Sequence, residues 1–209
     1  MVLGSPREAM AQVIESTSVG RVAEHVVTSR EVQIYRLLDE ALRASSPADL
    51  RRLRGLELIP LDSPTFVQEV GRALLERAIY LESQAFDIGR VKVVDIPGSL
   101  ELVTQRLTGS QTWSGLQASQ EELRELLEVK LKATEFVRFR TDSSLVLITD
   151  AEAKAYFEAH RHRFGDLPFS DFKENIKRAL GAQHMERRLA DWFEVLKTKY
   201  EVQNYLVGL

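Results

Sequence analysis

The segment from Asp171 to Tyr200 limits the possible folds more than any other part of the chain. Its apolar positions are Phe172, Ile176, Ala179, Ala182, Met185, Leu189, Trp192, Leu196 and Tyr200, a spacing of 3.5 residues kept up over 28 residues. That spacing predicts one uninterrupted helix with a single apolar stripe. At about 1.5 Å per residue such a helix reaches roughly 45 Å, the span of a whole domain. It needs a partner distant in sequence, and the N-terminal half is expected to provide it.

The surroundings of this helix carry their own start and stop signals. Leu145-Val146-Leu147-Ile148 reads as a strand, and Thr149-Asp150-Ala151-Glu152 reads as a capping box opening a helix to about Phe164. In such a box the Thr hydroxyl takes the Glu backbone N–H while the Glu carboxylate reaches back to the cap. Gly165-Asp166-Leu167-Pro168 forms a four-residue joint to the long helix, and Val202 to Leu206 reads as a last strand.

Residues 1–18 read as a lead-in, with a short helix from Arg7 to Ile14 after Pro6. Gly20 to Val27 reads as a hairpin turning at Glu24-His25. Thr28-Ser29-Arg30-Glu31 is a second capping box, opening a helix with Ile34, Leu38, Ala41 and Leu42 on one face. Ser46-Pro47 and Ser63-Pro64 each place a cap before a proline at the first helical position. The second of these helices runs through Phe86 with Val67, Val70, Leu74, Ala78 and Leu81 inward. Asp95 to Gly98 reads as loop, with Ser99 capping a short helix to Leu107. Ser119-Gln120-Glu121-Glu122 is a third box, and its helix to Arg140 carries Leu123, Leu126, Leu127, Lys130, Leu131, Thr134 and Val137. The expectation is a mainly α fold with a small β-sheet. In it the strands at 21–27, 145–148 and 202–206 join, and the long helix packs across the N-terminal half.

Totals narrow the function. A net charge of −3, with basic and acidic residues intermixed, gives no nucleic-acid stripe. No run of about 18 apolar residues offers a membrane span. The absence of cysteine removes disulfides, thiol catalysis and thiolate metal sites. Four histidines remain, His25, His160, His162 and His184. His160 and His162 point about 200° apart on a helix, so they do not share a metal. No phosphate loop, zincin helix or nucleophile elbow occurs. Neither an enzyme nor a cofactor is expected. The Arg-rich helix with Arg51, Arg52 and Arg54 reads as a solvated face. Trp192-Phe193, and Phe136-Val137 with Phe139, are broader than one helix stripe needs, which leaves apolar surface for a partner.

The order of these elements resembles a family. Val22 to Val32 is similar to the opening hairpin and helix of SurA-type periplasmic chaperones, although Glu24-His25 stands where the family usually has an Asn-Gly or Gly-rich turn. Ser119 to Arg140, Ile148 to Phe157, and Pro168 to Val202 resemble the family's later helices and terminal strand. In SurA a parvulin-type prolyl isomerase domain sits where this chain has residues 165–168. The resemblance implies one chaperone domain over 19–209, an N-terminal hairpin sharing a sheet with the C-terminal strand, and no isomerase. It implies an ATP-independent holdase in the periplasm, its signal peptide removed or lying outside this sequence, that binds unfolded or outer-membrane clients through apolar walls. Tyr35, Leu38, Trp113, Phe136, Phe157 and Trp192 are the expected peptide-binding residues. The alternative is a scaffold or assembly subunit that binds one fixed partner or itself. The short joint also permits a homodimer with exchanged C-terminal helices.

Overall fold

A computed structural model describes residues 16–86, 94–142 and 147–207. The elements are β1 (Ser18–Val22), β2 (His25–Thr28), α1 (Ser29–Arg43), α2 (Pro47–Arg54), α3 (Pro64–Ala85), α4 (Ile96–Leu107), α5 (Gln111–Leu116), α6 (Gln120–Asp142), α7 (Asp150–Ala159), α8 (Phe169–Lys199) and β3 (Gln203–Asn204). A single 3-10 turn, Arg161–Arg163, follows α7. The helix expected to continue to Phe164 therefore stops at Ala159. The short helix expected at Arg7–Ile14 lies outside the described residues.

The sheet joins the two ends of the chain. Its order is β2-β1-β3, antiparallel throughout, with Arg21 opposite both Val26 and Gln203. Gly20 has to be glycine, because a Cβ there would lie 2.7 Å from the Gln203 carbonyl oxygen and 2.9 Å from Leu74. The hairpin turns at Ala23-Glu24, one residue earlier than expected, and Ala23 takes φ +48. Its N–H donates to the Tyr200 carbonyl at 2.7 Å, which ties the turn to the end of α8. The segment expected as a strand at 145–148 does not enter this sheet over its described part, Leu147 and Ile148.

Helix starts follow the cap residues, with two informative departures. Thr149 and Ser46 form full capping boxes, with Glu152 and Asp49 returning to their caps. Thr28 and Ser119 do accept the N–H of Glu31 and Glu122. Those two carboxylates, however, are drawn into tertiary ion pairs. Glu31 takes Arg77 and His25, each at 3.2 Å, and Glu122 takes Arg30. The expected α4 cap at Ser99 is corrected to Asp95, whose carboxylate accepts the Gly98 N–H at 2.9 Å. Pro97 near the start of a helix costs nothing, since its missing N–H would have had no partner there.

The main core lies between α1, α3 and α6, closed by the hairpin, α4, α5 and Leu196. Ile34, Leu38, Phe66, Val70, Leu74, Leu127 and Phe136 are fully interior. Lys130 sits in this apolar stripe, 4% exposed, because two carboxylates from neighbouring helices reach it. Its Nζ lies 2.8 Å from Glu76 of α3 and 3.3 Å from Asp39 of α1. Burial works to raise the Asp39 pKa, but Lys130 and Arg72 outweigh it and hold the carboxyl below its usual value. Gln33 pins the apolar loop before α3, donating to the Ile59 carbonyl at 2.6 Å and accepting its N–H at 3.1 Å.

A second, smaller core gathers Ile148, Ala153, Phe157 and Ile176, flanked by Tyr156, Phe164, Phe169, Phe172 and Leu180. It belongs to the α7–α8 arm. The expectation that α8 lies along the N-terminal half holds for its last turns alone, where Trp192, Phe193, Leu196 and Tyr200 reach the main core. Its first turns are occupied by α7. At about 100° per residue, Phe169, Phe172, Ile176 and Leu180 fall on one side of α8. Met185, Leu189, Trp192 and Leu196 fall on nearly the opposite side. A stripe repeating every 3.5 residues drifts by about 20° per heptad around a straight helix, roughly 70° from Phe172 to Leu196. The rest of the turn comes from Phe169 and Leu180, which stand off the stripe on the arm side. One helix therefore serves two cores, and the face between Ala179 and Leu189 belongs to neither of them.

Candidate functional site

Three helix ends meet where α8 enters the body. Phe86 follows the last turn of α3, Phe136 and Phe139 stand near the end of α6, and Trp192 and Phe193 come from α8. Phe86 packs edge-on against Phe136 at 5.6 Å between centroids, and Phe136 lies 6.0 Å from Trp192. Phe139 stacks on Phe136 and meets Phe86, each at 6.3 Å. The Arg140 guanidinium lies 4.5 Å above the Trp192 ring, an arrangement that favours a cation over the indole face.

These rings form a graded surface. Phe136 is completely buried, Phe139, Trp192 and Phe193 are partly buried, and Phe86 is 44% exposed. Upstream on α8, Leu189 and Met185 continue the line from Trp192 on the same face, followed by the exposed Ala182 and Ala179. The result is an apolar corner. Its floor is the end of the α3–α6 pair, and its wall is the α8 face leading to the arm. Leu147, 86% exposed, precedes the arm beside Ile148 of the arm core.

Polar contacts hold the corner in place. Glu82, one turn before Phe86, accepts from Lys199 Nζ at 2.5 Å and from the Tyr200 hydroxyl at 2.7 Å. Burial works to raise its pKa, but these two hydrogen bonds prevail and lower it. The last turn of α8 is thus clamped to the last turns of α3, which fixes where Trp192 sits.

The six residues expected to line a groove do not assemble into one. Phe136 and Trp192 meet in the corner. Leu38 and Tyr35 are buried in the main core, where Lys130 lies 5.2 Å from the Tyr35 ring centroid. Burial raises the Tyr35 pKa well above its ordinary value. Trp113 packs partly buried against the main core from α5, and Phe157 is interior to the arm. An interior side chain offers no surface to a client, so Tyr35, Leu38, Phe136 and Phe157 do not line a wall in this conformation. Helical spacing identifies a hydrophobic face without revealing whether another element covers it. Phe86 was missed because it stands outside the α3 stripe, just past the helix end. The signal that did point here was the breadth of Trp192-Phe193 and of Phe136 with Phe139.

No protein-family model matches the chain, and no curated protein or solved structure is significantly similar to it. Its function is therefore argued from this geometry.

The remaining chemistry is sparse among the described residues. No group of three or more His, Asp or Glu side chains could hold a metal, and no helix is long and apolar enough to cross a membrane. His160 stacks on Tyr156 at 4.1 Å, and its Nδ1 lies 2.9 Å from the Tyr156 carbonyl oxygen, so it is engaged within its own turn. A cleft of about 440 Å³ between α4 and α6 is lined by Leu100, Glu101, Thr104, Thr108, Gln120 and Arg124, and the Thr104 and Thr108 hydroxyls donate to the Leu100 and Thr104 carbonyls of their own helix.

Proposed function

We propose that this chain is an ATP-independent holding chaperone of the SurA type that works in the periplasm without an isomerase domain. Unfolded or outer-membrane client segments bind at the aromatic corner. The observation that carries this reading is the gathering of Phe86, Phe139, Trp192 and Phe193 around Phe136, open at Phe86 and continuous with the α8 face. A holdase needs apolar surface presented on a rigid support, with charged residues around it to keep the complex soluble. The Arg140 cation over Trp192 and the Glu82 clamp provide such a rim. Aromatic rings suit a site that accepts many sequences, since they give large contact area at small entropy cost.

The reading without an isomerase rests on the resemblance, in which that domain sits where this chain has the joint at 165–168. Gly165 takes φ +58, and Arg161 donates to the Leu167 carbonyl at 2.8 Å, so the joint is a closed turn between α7 and α8.

The test is a paired assay on one purified sample. Light scattering follows an aggregating outer-membrane-type client while isomerisation of a short proline peptide is measured. Suppressed aggregation without isomerisation is expected, and Phe86→Ser should weaken suppression severalfold at unchanged helix content. Measurable isomerisation, or aggregation indifferent to the protein, would overturn the reading.

A further inference from the structure

We propose that α8 bends at Gly181, so that the α7–α8 arm and the body move as two rigid units about the middle of one helix. The motion belongs to a single chain, and the inference does not rest on the function proposed above.

Both ends of α8 are fastened. At the arm end Ile176 and Leu180 pack into the α7 core. Lys173 and Lys177 both reach Asp150 at the start of α7, the second of them at 2.8 Å. At the body end Trp192, Phe193, Leu196 and Tyr200 join the main core, and Glu82 holds Lys199 and Tyr200. Leu180 is the last of the arm's apolar residues along α8, and Trp192 is the first of the body's.

Residues 181–191 lie between these two attachments and cover about 16 Å of helix. Most of them are exposed. Among the described residues, none of their side chains makes a hydrogen bond or an ion pair. His184 acts on the arm through its charge alone: the Glu152 carboxyl is lowered first by its hydrogen bonds to Thr149, and least by His184. This stretch is therefore helical mainly by its own propensity, and a run of that length is marginal without tertiary support.

Gly181 opens the stretch, directly after the last arm contact. Glycine in a helix interior is about fivefold less favourable than alanine, because it has more backbone freedom to lose. The residues from Ala182 to Arg188 are, His184 apart, strong helix formers. The weakness is thus confined to one position, with stiff helix on both sides of it. Such a profile produces a bend at one place and not a melted segment. The chain crosses between body and arm a second time, from Asp142 to Ile148. That crossing spans at most about 22 Å, so it bounds the swing.

Distance distributions test the hinge. The chain has no cysteine, so introduced pairs take spin labels cleanly. Lys154→Cys on α7 and Arg51→Cys on α2, both exposed, report arm against body by double electron–electron resonance. Lys154→Cys with Glu174→Cys is the control within the arm, and Arg51→Cys with Glu125→Cys the control within the body. Both controls should be narrow, while the cross pair should be at least twice as wide. Gly181→Ala should cut the bent population about fivefold and narrow the cross pair, and Ala182→Gly should widen it. Circular dichroism checks that both variants keep their helix content. A cross pair as narrow as the controls overturns the proposal. So does a wide cross pair that neither substitution moves. A wide arm control overturns it as well, since the arm would then be melting and not turning.

Discussion

Trp192 of α8 rests 6.0 Å from Phe136 of α6, and the two rings divide the work of the corner between them. Phe136 is interior and joins α6 to the main core, while Trp192 keeps part of its surface in solvent.

Substitution should separate those roles. Phe136→Ala removes a fully buried ring and is expected to cost about 3–5 kcal/mol of unfolding free energy, read from urea denaturation. Trp192→Ala should cost about 1–2 kcal/mol, because less of the ring leaves water on folding. Client binding measured by fluorescence anisotropy should nevertheless fall at least as far for Trp192→Ala. An equal loss of stability for both, with binding intact in Trp192→Ala, would place Trp192 in the core and not at the site.

Much of this architecture can be read from residue order, and the failures have a common cause. Caps act within four residues, so Ser46, Ser63 and Thr149 locate their helices from sequence. Lys130 stands on the apolar stripe of α6 in the sequence, but its partners Asp39 and Glu76 come from other helices. What local pattern cannot provide is competition from elsewhere in the chain. Glu31 and Glu122 have the spacing for their caps, but Arg77 and Arg30 arrive from other helices and take them. In the same way α8 shows one continuous stripe, while α7 and α3 cover opposite sides of its two ends. Tyr35 and Leu38 looked available for a groove for the same reason, and the neighbours that bury them lie far away in sequence.

The hairpin holds some strain that one change should relieve. Ala23 has φ +48, a region where a Cβ costs about 1–2 kcal/mol, while its N–H is held by the Tyr200 carbonyl. Ala23→Gly removes the clash and increases the freedom of the unfolded chain, two opposing effects of similar size. A net gain of about 0.5 kcal/mol is expected, seen as a small rise in Tm. A loss of stability would mean that the turn tolerates alanine without strain.

The ionic layer of the core should behave as a unit. Lys130→Met removes the buried cation between Asp39 and Glu76 and leaves Arg72, which is partly exposed, as the one cation that bridges them. Breaking such a buried pair costs about 3 kcal/mol. Adding Asp39→Asn and Glu76→Gln to Lys130→Met should recover part of that loss, since the buried carboxylates are then neutral and Arg72, partly exposed, keeps Glu69 and solvent. If the triple variant is as unstable as the single one, packing of the Lys130 stem and not its charge is what matters.

Acid should weaken the fold through the same groups. Asp39 and Glu82 both have pKa values held below those of the unfolded chain, Asp39 by Lys130 and Arg72 against its burial, Glu82 by Lys199 and Tyr200 against its burial. Their stabilisation is complete above the unfolded carboxylate value of about 4 and is lost as pH falls through the lower folded values. The urea midpoint should therefore drop between pH 6 and pH 3. Asp39→Asn should lie below wild type at pH 6 and approach it at pH 3. A constant gap between the two would exclude Asp39 from the acid response.

The arm should be separable from the body in stability. Its core has four buried residues, Ile148, Ala153, Phe157 and Ile176, and α8 is shared with the larger core. So small a cluster provides little burial of its own, and local opening costs less than global unfolding. Phe157 lies against Phe164 at 4.9 Å and Phe169 at 5.5 Å, so Phe157→Ala removes the ring that the others surround. Hydrogen exchange should then show loss of protection over 150–159 and the first turns of α8, with α1, α3 and α6 unchanged. Uniform loss across all helices would mean that the two cores unfold as one. Selective loss would show that the arm opens on its own while the clamp of α8 at Glu82 stays in place.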